Sequence, residues 1–297
     1  MKKELFDEAL WEQAWREDPD TAVRKMKRSG LDPTRVFDEK ATVFNEQSFN
    51  EEGKRRSRRI MNWIEGQGVN FEGASILDIG AASGVFSIPF AERGAHVTSV
   101  EPNEPLARLF NENRQNLSGP GSINLVTEAF EDIDIEARGW KMKFDLVFVS
   151  MCPVVSDWPS VEKVLSCAKE FCYISTMAGG RENSLLSEVW PLVSDRPYGS
   201  AHLEFGYLQH LLYLKGYSYE SLVSRELKTT IHTREEALNE LMNWLRMADS
   251  LDAERKRDII AEHLARRYPD DRVVAHEGGR FGKVLVRLGD QRMFSRE

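Results

Sequence analysis

Two acidic side chains stand where a bound molecule could be held. Asp78 lies inside a motif of small residues, just ahead of Gly80 and Gly84, and Glu101 closes the next apolar run. The motif belongs to residues 76–85, Ile-Leu-Asp-Ile-Gly-Ala-Ala-Ser-Gly-Val. An apolar run breaks into small residues and a helical pattern follows, which predicts a buried strand, a tight turn and a helix N-terminus. Gly80 and Gly84 allow a sharp turn and a close approach to a ligand. A carboxylate at Asp78 would repel a phosphate and favour a cationic ligand. Glu101 lies about 20 residues beyond the loop, the position from which an acidic side chain accepts ribose hydroxyls.

A dinucleotide fold is the rival reading. Its fingerprint is Gly-x-Gly-x-x-Gly. Here Ala82 stands between the glycines and Val85 falls where the third glycine belongs, so both count and spacing fail. Ribose is common to both ligand classes, so Glu101 indicates a nucleoside without saying which.

The pattern Asp78-x-Gly80-x-x-x-Gly84, followed in order by Glu101, Glu128-Ala129-Phe130 and the run 144–153, resembles the class I S-adenosylmethionine-dependent methyltransferases. The resemblance covers residues 57–176. It implies an α/β, doubly wound, seven-stranded, mostly parallel sheet. It implies S-adenosylmethionine as cofactor and S-adenosylhomocysteine as product. The cofactor loop would be Asp78, Gly80, Ala81, Ala82 and Gly84. Glu101, with Pro102 beside it, would hold the ribose. Glu128 would bind the adenine amino group, with Ala129 and Phe130 against the ring. Ser150 and Met151, at the end of the fourth strand, would line the methyl-transfer site. Many small-molecule members carry an aromatic segment before the fold that closes over the cofactor, and Phe37 and Phe44 are the candidates for it.

The elements that must position these residues alternate as a parallel sheet requires. Helices are predicted over 57–66, 84–93, 104–116 and 158–168, and strands over 75–79, 95–100, 122–126, 143–149 and 170–176. Residues 45–53 and 177–203 read as irregular. A helix over 204–214 and a strand over 217–226 follow, then helices over 234–247 and 252–268, and a last strand from Gly282. Residues 1–53 carry helical stripes at 5–15 and 21–29 and read as an N-terminal cap. Residues 54–297 read as the catalytic domain, with 234–268 inserted before the last strand. Both additions are expected over the C-terminal edge of the sheet.

The composition bounds the function. The chain has 297 residues, 41% of them hydrophobic, enough for a core. No apolar run approaches the roughly 20 residues of a membrane span, and the first residues show no signal-peptide pattern. Three cysteines (Cys152, Cys167, Cys172) fit a reducing compartment, and a cytoplasmic location is expected. No metal-ligand spacing is present. A net charge of −8 disfavours long nucleic acids as substrates. The cluster 54–59, Lys-Arg-Arg-Ser-Arg-Arg, reads as a solvated face, with a small anion or an RNA contact as the sharper alternative.

Methyl transfer is an in-line displacement in which positioning contributes most, and a base is needed only for a protonated nucleophile. His202, Glu204, Asp157 and Tyr207 are the candidates. The run Ser150-Met-Cys-Pro153 lacks the Asn/Asp-Pro-Pro-Tyr/Phe tetrad used on amino groups of bases and glutamine. A small-molecule acceptor is favoured. An RNA or protein methyltransferase, or a non-catalytic binding protein, are the alternatives.

Overall fold

The structure is a computed structural model, and it describes residues 4–195, 203–245 and 252–289. The chain opens with helices α1 (Glu8–Glu17), α2 (Ala22–Arg28), α3 (Ala41–Phe49) and α4 (Glu51–Gly66). Alternation follows: β1 (Ser75–Ile79), α5 (Ser87–Glu92), β2 (His96–Val100), α6 (Glu104–Asn113), β3 (Ser122–Val126), β4 (Phe144–Ser150), α7 (Trp158–Cys167) and β5 (Ala168–Asn183). The last elements are α8 (Ser184–Val193), α9 (Glu204–Leu214), β6 (Ser218–His232), α10 (Arg234–Leu245), α11 (Ala253–Arg267) and β7 (Val273–Arg287).

The seven strands form one sheet in the order β3-β2-β1-β4-β5-β7-β6, and β1 to β5 pair in parallel. Ile76, Leu77, Val147 and Phe148 are fully buried, as expected of strands covered on both faces. The strand order reverses between β2-β1 and β1-β4. The crevice at such a switch, outside the carboxyl ends of the strands, is where this topology binds ligands.

Two compact units make up the chain. The first comprises 1–176, 204–222 and 282–297, and the second 177–203 and 223–281. In the first, Met61 and Ile64 of α4 and Phe90 of α5 pack on Ile76, Leu146, Phe148 and Tyr173. The Phe148 and Tyr173 rings stack at 4.7 Å. Here too α1 packs on α9, where Trp15 stacks on Tyr207 at 5.9 Å, and α3 packs on α4 and α6. In the second unit, Leu185 and Val189 of α8, Leu241 of α10 and Ile260 and Leu264 of α11 surround Val273 and Ala275.

Two expectations are corrected. Residues 45–53 are helical: α3 runs to Phe49, and Asn50 caps α4 by accepting the Gly53 N–H at 2.8 Å. The buried side chains of α3 are only Ala41 and Ser48, so the helix shows no apolar stripe. Residues 177–193 are regular as well. β5 continues to Asn183, whose side chain accepts the Leu186 N–H at 2.9 Å and starts α8. Pro191 falls in the last turn of α8, where it removes the N–H that would bond the Ser187 carbonyl.

Candidate active site

β1 ends at Ile79, and the chain turns back along the tips of β1 and β2. Gly80, Ala82 and Gly84 have φ of +75°, +49° and +91°. Glycine adopts this region freely, whereas an alanine there costs roughly 1–2 kcal/mol. The loop is fastened to the next strand. The N–H groups of Gly80 and Ala81 donate to the Val100 carbonyl at 2.9 and 3.1 Å. The Ala82 N–H donates to Glu101 Oε2 at 2.8 Å, and the Asn103 N–H donates to Glu101 Oε1 at 2.8 Å. Glu101 therefore sets the strained turn, and each of its oxygens keeps a further lone pair. The carboxylate is 6% exposed, and burial raises its pKa.

Asp78 lies deeper. It accepts the Ser87 Oγ–H at 2.5 Å, and Ser87 Oγ in turn accepts from Ser99 Oγ at 2.8 Å. Burial pushes the Asp78 carboxyl up to about 7, opposed by the Ser87 bond and reinforced by Glu101. Ser83 is fully buried, and its hydroxyl has no hydrogen-bond partner among the described residues. No Lys or Arg occurs over 78–92. Two carboxyls, unused lone pairs on Glu101 and a cation-free loop fit a nucleoside carrying positive charge and disfavour a diphosphate.

Cys152 fills the space left by the missing side chain of Gly80, where a Cβ would come within 2.5 Å of its Sγ. Burial pushes that thiol up to about 12, so it is no nucleophile near neutrality. Beside it Met151 is exposed with φ +55°, and Ser150 Oγ lies 3.2 Å from Ser175 Oγ. Phe130 is buried under the Lys163 ammonium, and Glu128 is ion-paired with Arg138.

The N-terminal segment is tethered to later elements of the chain at three places. The Ala22 N–H donates to Glu204 at 2.6 Å. Asn103 Nδ2 donates to the Thr34 carbonyl at 2.9 Å and to Asp38 Oδ1 at 2.7 Å. Asn113 Nδ2 donates to Asn45 Oδ1 at 2.8 Å and to the Ser83 carbonyl of the loop at 2.9 Å. Phe37 and Phe44 meet edge to face at 5.1 Å.

Asp78, Gly80, Ala81, Ala82, Gly84, Glu101 and Pro102 thus converge on the tips of β1 and β2. Of the base candidates, Asp157 caps α7, accepting the Ser160 N–H at 3.0 Å. Tyr207 donates to Asp18 at 3.1 Å, and burial together with that carboxylate raises its phenol to about 12. Glu204 is buried at the start of α9, and His202 lies outside the described residues. Sequence reasoning missed Asn103 and Asn113. Asn103 carries a readable signal, an Asn directly before Glu-Pro at a helix start; Asn113 has none.

Residues 76–172 match the model of a methyltransferase domain family. Over these residues the chain carries a methyltransferase domain, and the cofactor of such a domain is S-adenosylmethionine. Among solved structures, it is similar to the magnesium protoporphyrin IX methyltransferase of Synechocystis PCC 6803 with bound SAH, at 13% identity over 86% of this chain and 100% of that one, TM-score 0.48. It is similar to phosphoethanolamine N-methyltransferase 2 of Haemonchus contortus in complex with S-adenosyl-L-methionine, at 16% identity over 88% and 60%, TM-score 0.49. It is also similar to the YcgJ protein of Bacillus subtilis, at 10% identity over 80% and 100%, TM-score 0.47. No curated protein sequence matches the chain. Among the described residues no helix is long and apolar enough to cross a membrane, and no group of His, Cys, Asp or Glu is placed to hold a metal.

Proposed function

We propose that the protein methylates a small-molecule acceptor enclosed between the tips of β1, β2 and β4 and the N-terminal segment. The carrying observation is the pair of tethers on that segment, Ala22 to Glu204 and Thr34 and Asp38 to Asn103. A segment fastened both to the start of α9 and to the turn after β2 suits a closed site, whereas a polymer needs an open groove. Exclusion of water also strengthens electrostatic contacts within the site.

When bound, the cofactor supplies an electrophilic methyl carbon on a sulfonium. The chain's own residues bind, orient and exclude water. Glu101 accepts from the ribose hydroxyls with the lone pairs that Ala82 and Asn103 leave. Gly80 and Gly84 keep the loop backbone close to the ligand. Asp78 and Glu101 provide negative potential for a cation. Glu128 would take the adenine amino group beside its Arg138 pair, with Ala129 and Phe130 at the ring, and Ser150, Met151 and Phe44 would border the reacting end. Asp157 is held in its cap by the Ser160 N–H, and Tyr207 donates its own proton to Asp18, so neither side chain is free to serve as a base.

The test is transfer from methyl-labelled S-adenosylmethionine to a panel of small amines, phenols, carboxylates and thiols, run beside total RNA and unfolded protein. Label in a small molecule is expected. Label confined to RNA or protein would contradict the proposal.

A further inference from the structure

A cavity of about 490 Å³ lies between α3, α4, α5 and the end of α6. That volume falls within the range of small-molecule sites, roughly 300–1,000 Å³. Its apolar wall comprises Phe49, Met61, Val85, Ile88 and Pro89, and its polar wall Ser48, Ser57, Asn113, Lys54, Arg58, Arg93 and Glu92. The charges are not equivalent. Arg93 is ion-paired with Glu65 at 2.6 Å, and Lys54 has only a loose contact of 3.9 Å with Glu51. Arg58 is exposed and has no ion-pair partner among the described residues. Ser48 is 3% exposed, and its hydroxyl makes no hydrogen bond.

Helical geometry explains how one basic run yields a directed site. Positions 54, 58 and 61 follow the i, i+4, i+7 stripe. Lys54, Arg58 and Met61 therefore share a face, one cation above another over an apolar floor. Arg55 and Arg59 occupy the next stripe and do not line the cavity. A solvated face would leave all of these cations in bulk water. Here two of them rim an apolar recess containing an unsatisfied buried hydroxyl.

The geometry points to a binding site for an organic oxyanion, a carboxylate or sulfonate head on an aromatic or aliphatic body. The Arg58 guanidinium presents a fork matched to such a head, Lys54 adds a point charge, and the body lies on Met61, Ile88 and Phe49. Asp78, Gly80 and Glu101 do not line this cavity, which adjoins the loop at Val85 and Asn113, and the inference does not rest on the proposed acceptor.

The probe is 1-anilinonaphthalene-8-sulfonate, titrated by fluorescence against the full chain, with the uncharged N-phenyl-1-naphthylamine as the matched control. Saturable one-to-one binding is expected for the sulfonate, at least tenfold tighter than for the neutral compound. Arg58→Glu with Lys54→Glu should weaken it at least tenfold. Arg55→Glu with Arg59→Glu, the same charge change on the same helix, should weaken it less than threefold. Circular dichroism checks that both variants fold, and Arg58→Gln, a milder change, should still lose several-fold. S-adenosylhomocysteine at saturation should not displace the probe. Equal binding of the neutral compound, equal loss in the two double variants, or displacement by S-adenosylhomocysteine would each overturn the assignment.

Discussion

Each oxygen of Glu101 holds one backbone N–H, that of Ala82 in the loop and that of Asn103 ahead of α6. Its removal therefore acts twice. Glu101→Ala should weaken S-adenosylhomocysteine binding by more than about 1.5 kcal/mol, from loss of bonds to a charged acceptor. It should also lower stability by about 1–3 kcal/mol, because two N–H groups lose their partner. Calorimetry and thermal melts read the two effects apart, and an unchanged dissociation constant would remove Glu101 from the ribose. Asp78 makes the second prediction. Its folded pKa, about 7, lies above its ordinary value near 3.8. Between those values the folded state holds the extra proton, so stability falls as pH rises from about 4 to 7. Ionising such a group costs roughly 4 kcal/mol at most. Asp78→Asn should flatten that part of the stability–pH curve, as measured by urea unfolding at pH 5 and pH 8. An unaltered slope would show that Asp78 does not titrate there. The sequence placed Asp78 and Glu101 correctly at the carboxyl ends of β1 and β2. It could not show that Ser87 holds Asp78, or that Cys152 fills the space beside Gly80, since both contacts join residues only after folding.

At the scale of elements, β1, β2 and β3 were legible almost to the residue, because short apolar runs between glycines leave little choice. β5, β6 and β7 run well past their apolar cores. The added stretches, such as Lys228-Thr-Thr230 and Glu277-Gly-Gly279, are polar or glycine-rich and carry no alternation to read. α3 escaped for the converse reason, since it buries small side chains. Its placement matters, because Asn45 on α3 and Ser83 in the loop share the Asn113 amide. Ligand ordering of the loop should therefore reach residues 34–45. Hydrogen exchange with and without S-adenosylhomocysteine should show slower exchange there, and unchanged rates would refute a closing segment. Asp157 gives a contrasting test. As the cap of α7, its replacement by Ala should cost about 1 kcal/mol of stability and leave turnover intact. Lost turnover with an unchanged melt would make it a catalytic residue.

At the scale of the molecule, the negative net charge and the divided basic run 54–59 favour a small acceptor over a polymer. The central claim is narrower and concerns the cofactor. An Asp78-x-Gly80-x-x-x-Gly84 loop free of cations, with Glu101 at the neighbouring strand tip, should select a nucleoside with no phosphate. Isothermal titration of the full chain with S-adenosylmethionine, S-adenosylhomocysteine, NAD and NADP measures this selection in one experiment. One-to-one binding of the first two, at least a hundredfold tighter than either dinucleotide, is the expected result. Preferential binding of NAD or NADP would contradict the account at its root.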